Sequence, residues 1–278
     1  MTRKKAISYI IVIVFLIVTE VPVYYIVLTA FRPSEEIYKT DISWAPTKLT
    51  MKNFRTIFGY AFEAQYSFVA YVRNSLFIST ISTLLIVSMG ALSAYCFSKF
   101  QFKWNVVLLL LILVSRLIPP ISLVVPFFKV ATGLRIVDTW TALILTNIYM
   151  YLPFSVWLLK GFFDTIPKDL VDSAKIDGCT NFGAFWRVMF PIAGPGVAAA
   201  AILAFLFSWN EFLFPLILTS TEAAKTIPVG LYDFVGDQYV DYGSMAAATI
   251  VASLPAVVFV TFFSRYIVSG LLAGAVKH

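Results

Sequence analysis

Residues 161–196 read GFFDTIPKDLVDSAKIDGCTNFGAFWRVMFPIAGPG, and this polar segment sits between two very apolar runs. Pro167 fits a first helical turn, where its missing N–H would have been an orphan donor, and Asp169 and Asp172 put negative charge near the positive helix end. Gly178 is expected to stop that helix. A second short helix is expected over 181–189, with Asn181 as N-cap, Phe182, Phe185, Trp186 and Met189 at 3.6-residue spacing, and Pro191 as its end. The segment, 161–195, therefore predicts a two-helix knuckle with an apolar face and nothing of its own to cover.

Around the knuckle the chain is built for lipid. Of 278 residues 60% are hydrophobic and 13% charged, against about 45–50% and about 25% in soluble domains. Six windows are long and apolar enough to cross a hydrocarbon core of about 30 Å, roughly 6–31, 70–96, 105–127, 139–160, 196–219 and 242–268. Their apolar runs are unbroken and do not alternate, so the expected fold is all-α, polytopic, a single membrane domain of six transmembrane helices over 1–278. Arg3-Lys4-Lys5 opens the first window like a signal peptide, but the run is too long for an h-region of about 7–15 residues and has no small-residue cleavage site. It is expected to be an uncleaved span.

The net charge of +6 is spread over membrane-flanking loops, which argues for lipid and against nucleic acid as a partner. With both termini in the cytoplasm, the N-terminal cluster and Lys99 and Lys103 fall inside, yet Arg32, Lys39, Lys48, Lys52 and Arg55 fall in an outer loop over 32–69. The positive-inside bias is modest, and charge alone does not fix the orientation. Cys96 and Cys179 lie at the inner side in this orientation, where thiols stay reduced, and no disulfide is expected. One histidine, His278, and no Cys-x-x-Cys spacing leave no metal site or His-based catalysis to expect. The aromatic residues, 17% of the chain, are expected to be mostly lipid-facing or interfacial.

Three ionisable residues fall within spans: Glu20, Arg116 and Glu211. At about 1.5 Å per residue they lie at comparable depth, so Arg116 could pair with either acid. A buried pair that fixes helix packing, a cargo path shared with Asn210, and a proton relay are all open readings. Small residues recur every fourth position at Gly196, Ala200, Ala204 and Ser208, and again at Ser244, Ala248, Ala252 and Ala256. Such stripes let helix backbones approach closely, either inside this chain or against another membrane subunit. Pro119, Pro120 and Pro126 predict a kinked third span, and Pro153 a kinked fourth.

The knuckle carries a specific resemblance. Asp172-Ser173-Ala174, then Gly178, then Val188-Met189-Phe190-Pro191 resembles the Glu-Ala-Ala loop of ABC-importer permeases, with the glycine and proline in register. Asp stands for Glu and Ser for the first Ala. Ala94-Tyr95 with Ser98-Lys99 and Phe102, Trp209-Asn210-Glu211-Phe212, Thr226-Ile227-Pro228-Val229-Gly230-Leu231, and the tail from Gly270 through Gly274 to Lys277 resemble further signatures of the maltose-type carbohydrate importers. Where that family ends in Gly, this chain has His278.

The resemblance implies a permease subunit of a binding-protein-dependent importer for a sugar, oligosaccharide or polyol. Its implied partners are a second related permease, a dimer of ATPase subunits and an external solute-binding protein facing 220–241. The chain itself has no Gly-x4-Gly-Lys-(Ser/Thr) phosphate loop, so ATP and magnesium are expected on the partner ATPase and no cofactor or enzyme activity here. On this reading the face around Ile176, Phe182 and Phe185 plugs an ATPase cleft, Asp172 makes charged contacts, and Gly270, Gly274 and Lys277 reach the ATPase. The competing classes are a plain cytoplasmic loop on an ion-coupled secondary transporter, a permease for a non-sugar solute, and, more distantly, a membrane-embedded enzyme.

Overall fold

A computed structural model describes residues 3–39, 43–59, 68–236 and 240–275. Its principal helices are α1 (Arg3–Ala30), α2 (Phe68–Lys99), α3 (Asn105–Val114), α4 (Pro120–Gly133), α5 (Trp140–Thr165), α6 (Lys168–Ile176), α7 (Asn181–Ile192), α8 (Gly194–Trp209), α9 (Leu213–Leu218) and α10 (Tyr242–Ala275). Apart from one antiparallel bridge between Val235 and Val240, the regular structure among the described residues is helical. Four helices are long and apolar enough to cross a membrane, and up to six spans result if each of two sharply bent pairs counts as one.

The bent pairs differ from the expected kinks. α3, prolonged by a tight turn at Ser115–Leu117, meets α4 at 96°. Ile118 and Pro119 each precede a proline, whose ring disfavours helical ψ in the residue before it, and both are extended, with ψ of 122° and 127°. Two such residues in a row break the span where a single proline bends it. Pro126, Pro153 and Pro255 remain inside α4, α5 and α10. The second pair, α7 and α8, meets at 81°.

The chain forms two compact units, 1–72 with 229–254 and 73–228 with 255–278. In the first, α1 is exposed from 7 to 27 and buried only at Leu28, Thr29 and Ala30. A helix apolar on every side that buries none of those sides in its own chain is made for lipid or another subunit. Its C-terminal end is tied down by Asn53, whose Nδ2 donates to Ala30 O and Arg32 O, both at 2.9 Å. Tyr71 donates to Asp233 at 2.6 Å and its ring covers Gly230, where a Cβ would lie 2.1 Å from Cδ2.

The second unit is built on α2, α5 and α8. Ile78, Ser82, Ile86, Ala91, Ala94 and Tyr95 repeat at helical spacing and form one buried stripe of α2. Small residues set how close the helices come. A Cβ on Gly90 would lie 2.7 Å from Ser155 Oγ, and one on Gly196 would lie 2.3 Å from Phe162 Cγ. Asn147 on α5 donates to Ser82 Oγ of α2 (3.2 Å) and Ser208 Oγ of α8 (2.6 Å), joining all three. Before the start of α5, Asp138 accepts from Ser220 N, Thr221 N and Thr221 Oγ, and burial is outweighed by these bonds, so its carboxyl stays below the usual carboxylate range.

Candidate functional site

The knuckle is α6 and α7 together; the first residues of 161–195 still belong to α5. Pro167 stands one place outside α6 with ψ of 139°. The helix carries Asp169 in its first turn and Lys175 in its last, both favourable to its dipole. Gly178 takes φ of 87°, Cys179 N donates to Ala174 O (2.9 Å) and Gly178 N to Lys175 O (3.0 Å). That is the paired-bond Schellman ending, which needs a left-handed residue at this position.

The N-cap of α7 is Thr180, one residue earlier than the sequence suggested. Its extended backbone aims the hydroxyl at Gly183 N, 3.1 Å away. Asn181 is instead the first helical residue, and its carbonyl accepts from Tyr95 at 3.2 Å. Nor does Pro191 end this helix, which runs on to Ile192. Phe185–Met189 is a widened π-turn in which Phe190 N reaches back to Phe185 O, so the proline meets a ladder already opened.

The face that the knuckle presents outward is Ile176 (87% exposed), Phe182 (60%) and Trp186 (45%). Asp172, Ser173 and Pro191 are exposed as well, with Asp172 3.9 Å from Lys175. Phe185 and Ala174 do not belong to that face. Phe185 is 1% exposed, its ring 5.3 Å from that of Tyr95 and 6.3 Å from Phe163, and Ala174 is buried in the same cluster. They anchor the knuckle to the ends of α2 and α5 and cannot reach a partner. Trp186 takes the outward place: it stands four residues after Phe182, with the rings edge to face at 6.2 Å.

A second constellation joins the break of α3–α4 to a further break at 210–212, where α8 gives way to α9. Arg116 Nη1 donates to Met150 O at 2.6 Å, and its guanidinium lies 5.9 Å from the Tyr151 ring. Tyr151 donates to Glu211 Oε2, while Glu211 Oε1 accepts from Leu213 N (3.1 Å) and Phe214 N (3.3 Å), capping α9. Among the described residues the ion pairs join Lys160 to Asp164 and Lys175 to Asp172, so Arg116 reaches Glu211 only through the tyrosine. Asn210 is exposed at the break, with Nδ2 held by Leu206 O. Glu20 is exposed on α1 in the other unit.

The small-residue stripe of the fifth span is spent inside the chain: Gly196, Ala200, Ala204 and Ser208 are all buried. In α10, Ser244 and Ala248 are buried while Ala252 and Ala256 are half-buried. Gly270 and Gly274 continue α10, and Lys277 lies outside the described residues.

Residues 86–272 match the model of a family described as binding-protein-dependent transport system inner membrane component. The chain is similar to the trehalose transport permease SugB of Mycobacterium tuberculosis, 39% identical over 92% of each chain. It is also similar to the trehalose/maltose permease MalG of Thermococcus litoralis, 35% identical over 83% of this chain and 82% of that one. Among solved structures, a bacterial ABC transporter involved in import of the acidic polysaccharide alginate superposes with a TM-score of 0.80 at 16% identity, over 96% of this chain and 98% of that one. A second, the alginate transporter in complex with a pentasaccharide-bound periplasmic protein, gives 0.68 at 20% identity over 94% and 92%. The chain is therefore an inner-membrane, multi-pass protein that belongs to the family of permeases of binding-protein-dependent transport systems.

Proposed function

We propose that this chain is one permease half of a carbohydrate importer, working with a second permease, two ATPase subunits and an external solute-binding protein. On this reading the chain crosses the membrane six times, with both termini and the knuckle in the cytoplasm and the loop over 220–241 facing the binding protein. ATP and magnesium belong to the ATPase partners, and this chain catalyses no reaction of its own.

The observation that carries this reading is the face of Ile176, Phe182 and Trp186, large apolar side chains that stay exposed among the described residues although Phe182 and Trp186 are backed by Phe185. Three large apolar side chains held this far into water by two capped helices are what an interface core requires. Asp172 at the rim of that face supplies charge. An ATPase that closes on nucleotide can then displace the knuckle and, through it, the spans.

The test is reconstitution in vesicles. The full assembly with its binding protein is expected to concentrate labelled trehalose or maltose only with ATP, and Ile176→Asp with Phe182→Asp to release the ATPase subunits on purification. Concentrative uptake by this chain without any ATPase, driven by an ion gradient, would establish the secondary-transporter reading instead.

A further inference from the structure

The backbone between α3 and α4 is uncovered: Arg116, Leu117, Ile118, Pro119 and Pro120 are all exposed, Leu117 by 78%. Within hydrocarbon, irregular backbone survives only where protein buries it or water reaches it. A guanidinium at that depth costs about 2.5–3.5 kcal/mol even on the most lenient scale. An exposed arginine at an exposed break therefore does not face lipid. The other break meets it, since Arg116, Met150, Tyr151 and Glu211 form one bonded chain from α3 through α5 to α9. Broken spans meeting within the membrane are a recurring way to build a transport site.

The chemistry on offer is one-sided. Glu211 already accepts from two backbone amides and the Tyr151 hydroxyl, so its lone pairs are largely committed. Arg116 has one nitrogen engaged, and its remaining donors have no partner among the described residues. The Tyr151 ring lies between: Arg116 is 5.9 Å from it, and Phe207, 38% exposed, lies 5.5 Å from it and 5.8 Å from the Phe154 ring. Flat apolar rings next to a guanidinium edge match a ring-form sugar, which has a C–H face and a rim of hydroxyls. An acyclic polyol has the hydroxyls without the flat face.

We propose that Arg116, Tyr151, Phe207 and Asn210 form a water-facing ledge on which this chain itself contacts a ring-form sugar in transit, with Glu211 holding Tyr151 in place. The ledge rests on the carbohydrate-importer reading for its cargo, though not for its contact with water.

The experiment uses the assembled importer in membrane vesicles, with Cys96 and Cys179 replaced by serine and single cysteines introduced as Phe207→Cys, Asn210→Cys and, on the exposed side of α3, Leu110→Cys. A charged thiol reagent is expected to label the first two about tenfold faster than the third, because the reacting thiolate needs water. Labelling of Phe207→Cys and Asn210→Cys by a lipid-soluble reagent alone overturns the ledge. Maltose delivered by the binding protein is expected to slow both reactions, and mannitol is not. Equal slowing by mannitol, or none by maltose in an importer that transports it, overturns the ring-sugar assignment. If the binding protein retains no member of a panel of ring-form sugars and oligosaccharides and the unsubstituted importer takes up none, the carbohydrate reading falls and the ring-sugar assignment with it, while the labelling contrast still decides whether the ledge is wet.

Discussion

Gly178 offers the cleanest substitution in the knuckle, because nothing lies within 4 Å of a Cβ built there while its φ is 87°. A side chain at this position meets no neighbour, so the whole cost is conformational. For alanine the left-handed region costs about 1–2 kcal/mol; asparagine visits it more readily, and branching at Cβ makes valine worse than alanine. The bonds at risk are those from Gly178 N to Lys175 O and from Cys179 N to Ala174 O. A loss of 1–2 kcal/mol in their local stability corresponds to roughly 5- to 30-fold faster amide exchange. Hydrogen exchange with mass spectrometry, followed on peptides covering 168–180 in the solubilised assembly, is expected to rank Asn below Ala below Val. Gly133→Ala is the control, since Gly133 also has open space around it but no positive φ, and a helical alanine there is neutral or favourable. Valine exchanging no faster than asparagine would refute the argument that backbone handedness fixes this glycine. Gly178→Asp shares asparagine's tolerance, so a loss of ATPase association seen in Asp and not in Asn measures charge at the docking face.

Three further outcomes are expected. Gly196→Ala drives a methyl into the Phe162 ring, a Cβ at 2.3 Å, and the overpacking of about 1–3 kcal/mol exceeds the gain of about 1 kcal/mol from helix propensity, so the thermal transition of the solubilised protein falls. Asn147→Leu removes the bonds to Ser82 and Ser208 and lowers that transition by an amount equivalent to about 0.6–1.7 kcal/mol per bond, whereas Ser208→Ala removes one bond and costs less. Asp138 has a folded pKa below its unfolded value of about 3.9, so its clamp on Ser220 and Thr221 contributes fully above that value and is lost as pH falls through the folded one. The fluorescence of Trp140 beside the clamp is expected to stay flat from neutral pH down to about 5 and to change below about 4, and Asp138→Asn to abolish that dependence.

Much of this architecture follows from composition and spacing alone. The apolar windows fall on helices because a backbone in lipid has to satisfy its own hydrogen bonds, and that constraint acts on any sequence of this hydropathy. The end of the first knuckle helix was legible from Gly178 for the same reason, that backbone chemistry is local, while the second helix starts one residue before the expected cap, at Thr180, and runs past Pro191. What composition does not carry is direction. Phe182, Phe185, Trp186 and Met189 make the second helix apolar over most of its circumference, so spacing alone left Phe185 on the outer face when its ring is packed under Tyr95. The kink after Arg116 was legible in Pro119 and Pro120, but its size, 96°, was not, because it comes from two successive residues before proline acting together. Tyr151 went unnoticed because an aromatic residue within a span ordinarily faces lipid, and only the long-range bond to Glu211 gives it another role.

The same contacts that hide Phe185 also explain how a knuckle can act on spans. Tyr95 near the end of α2 and Phe163 near the end of α5 both pack on Phe185, Tyr95 donates to Asn181 O, and Lys99 Nζ donates to Phe163 O at 2.6 Å. A densely packed core of this kind resists deformation, so displacement of α7 carries α2 and α5 with it. α5 is also the helix that presents Met150 and Tyr151 to the two breaks, some fifteen residues from its C-terminal end, or roughly 20 Å at the α-helical rise. The broken segments 115–119 and 210–212 have few regular backbone bonds of their own to lose. Motion delivered at the knuckle therefore meets a stiff lever first and compliant joints second, and the joints are where the proposed ledge sits.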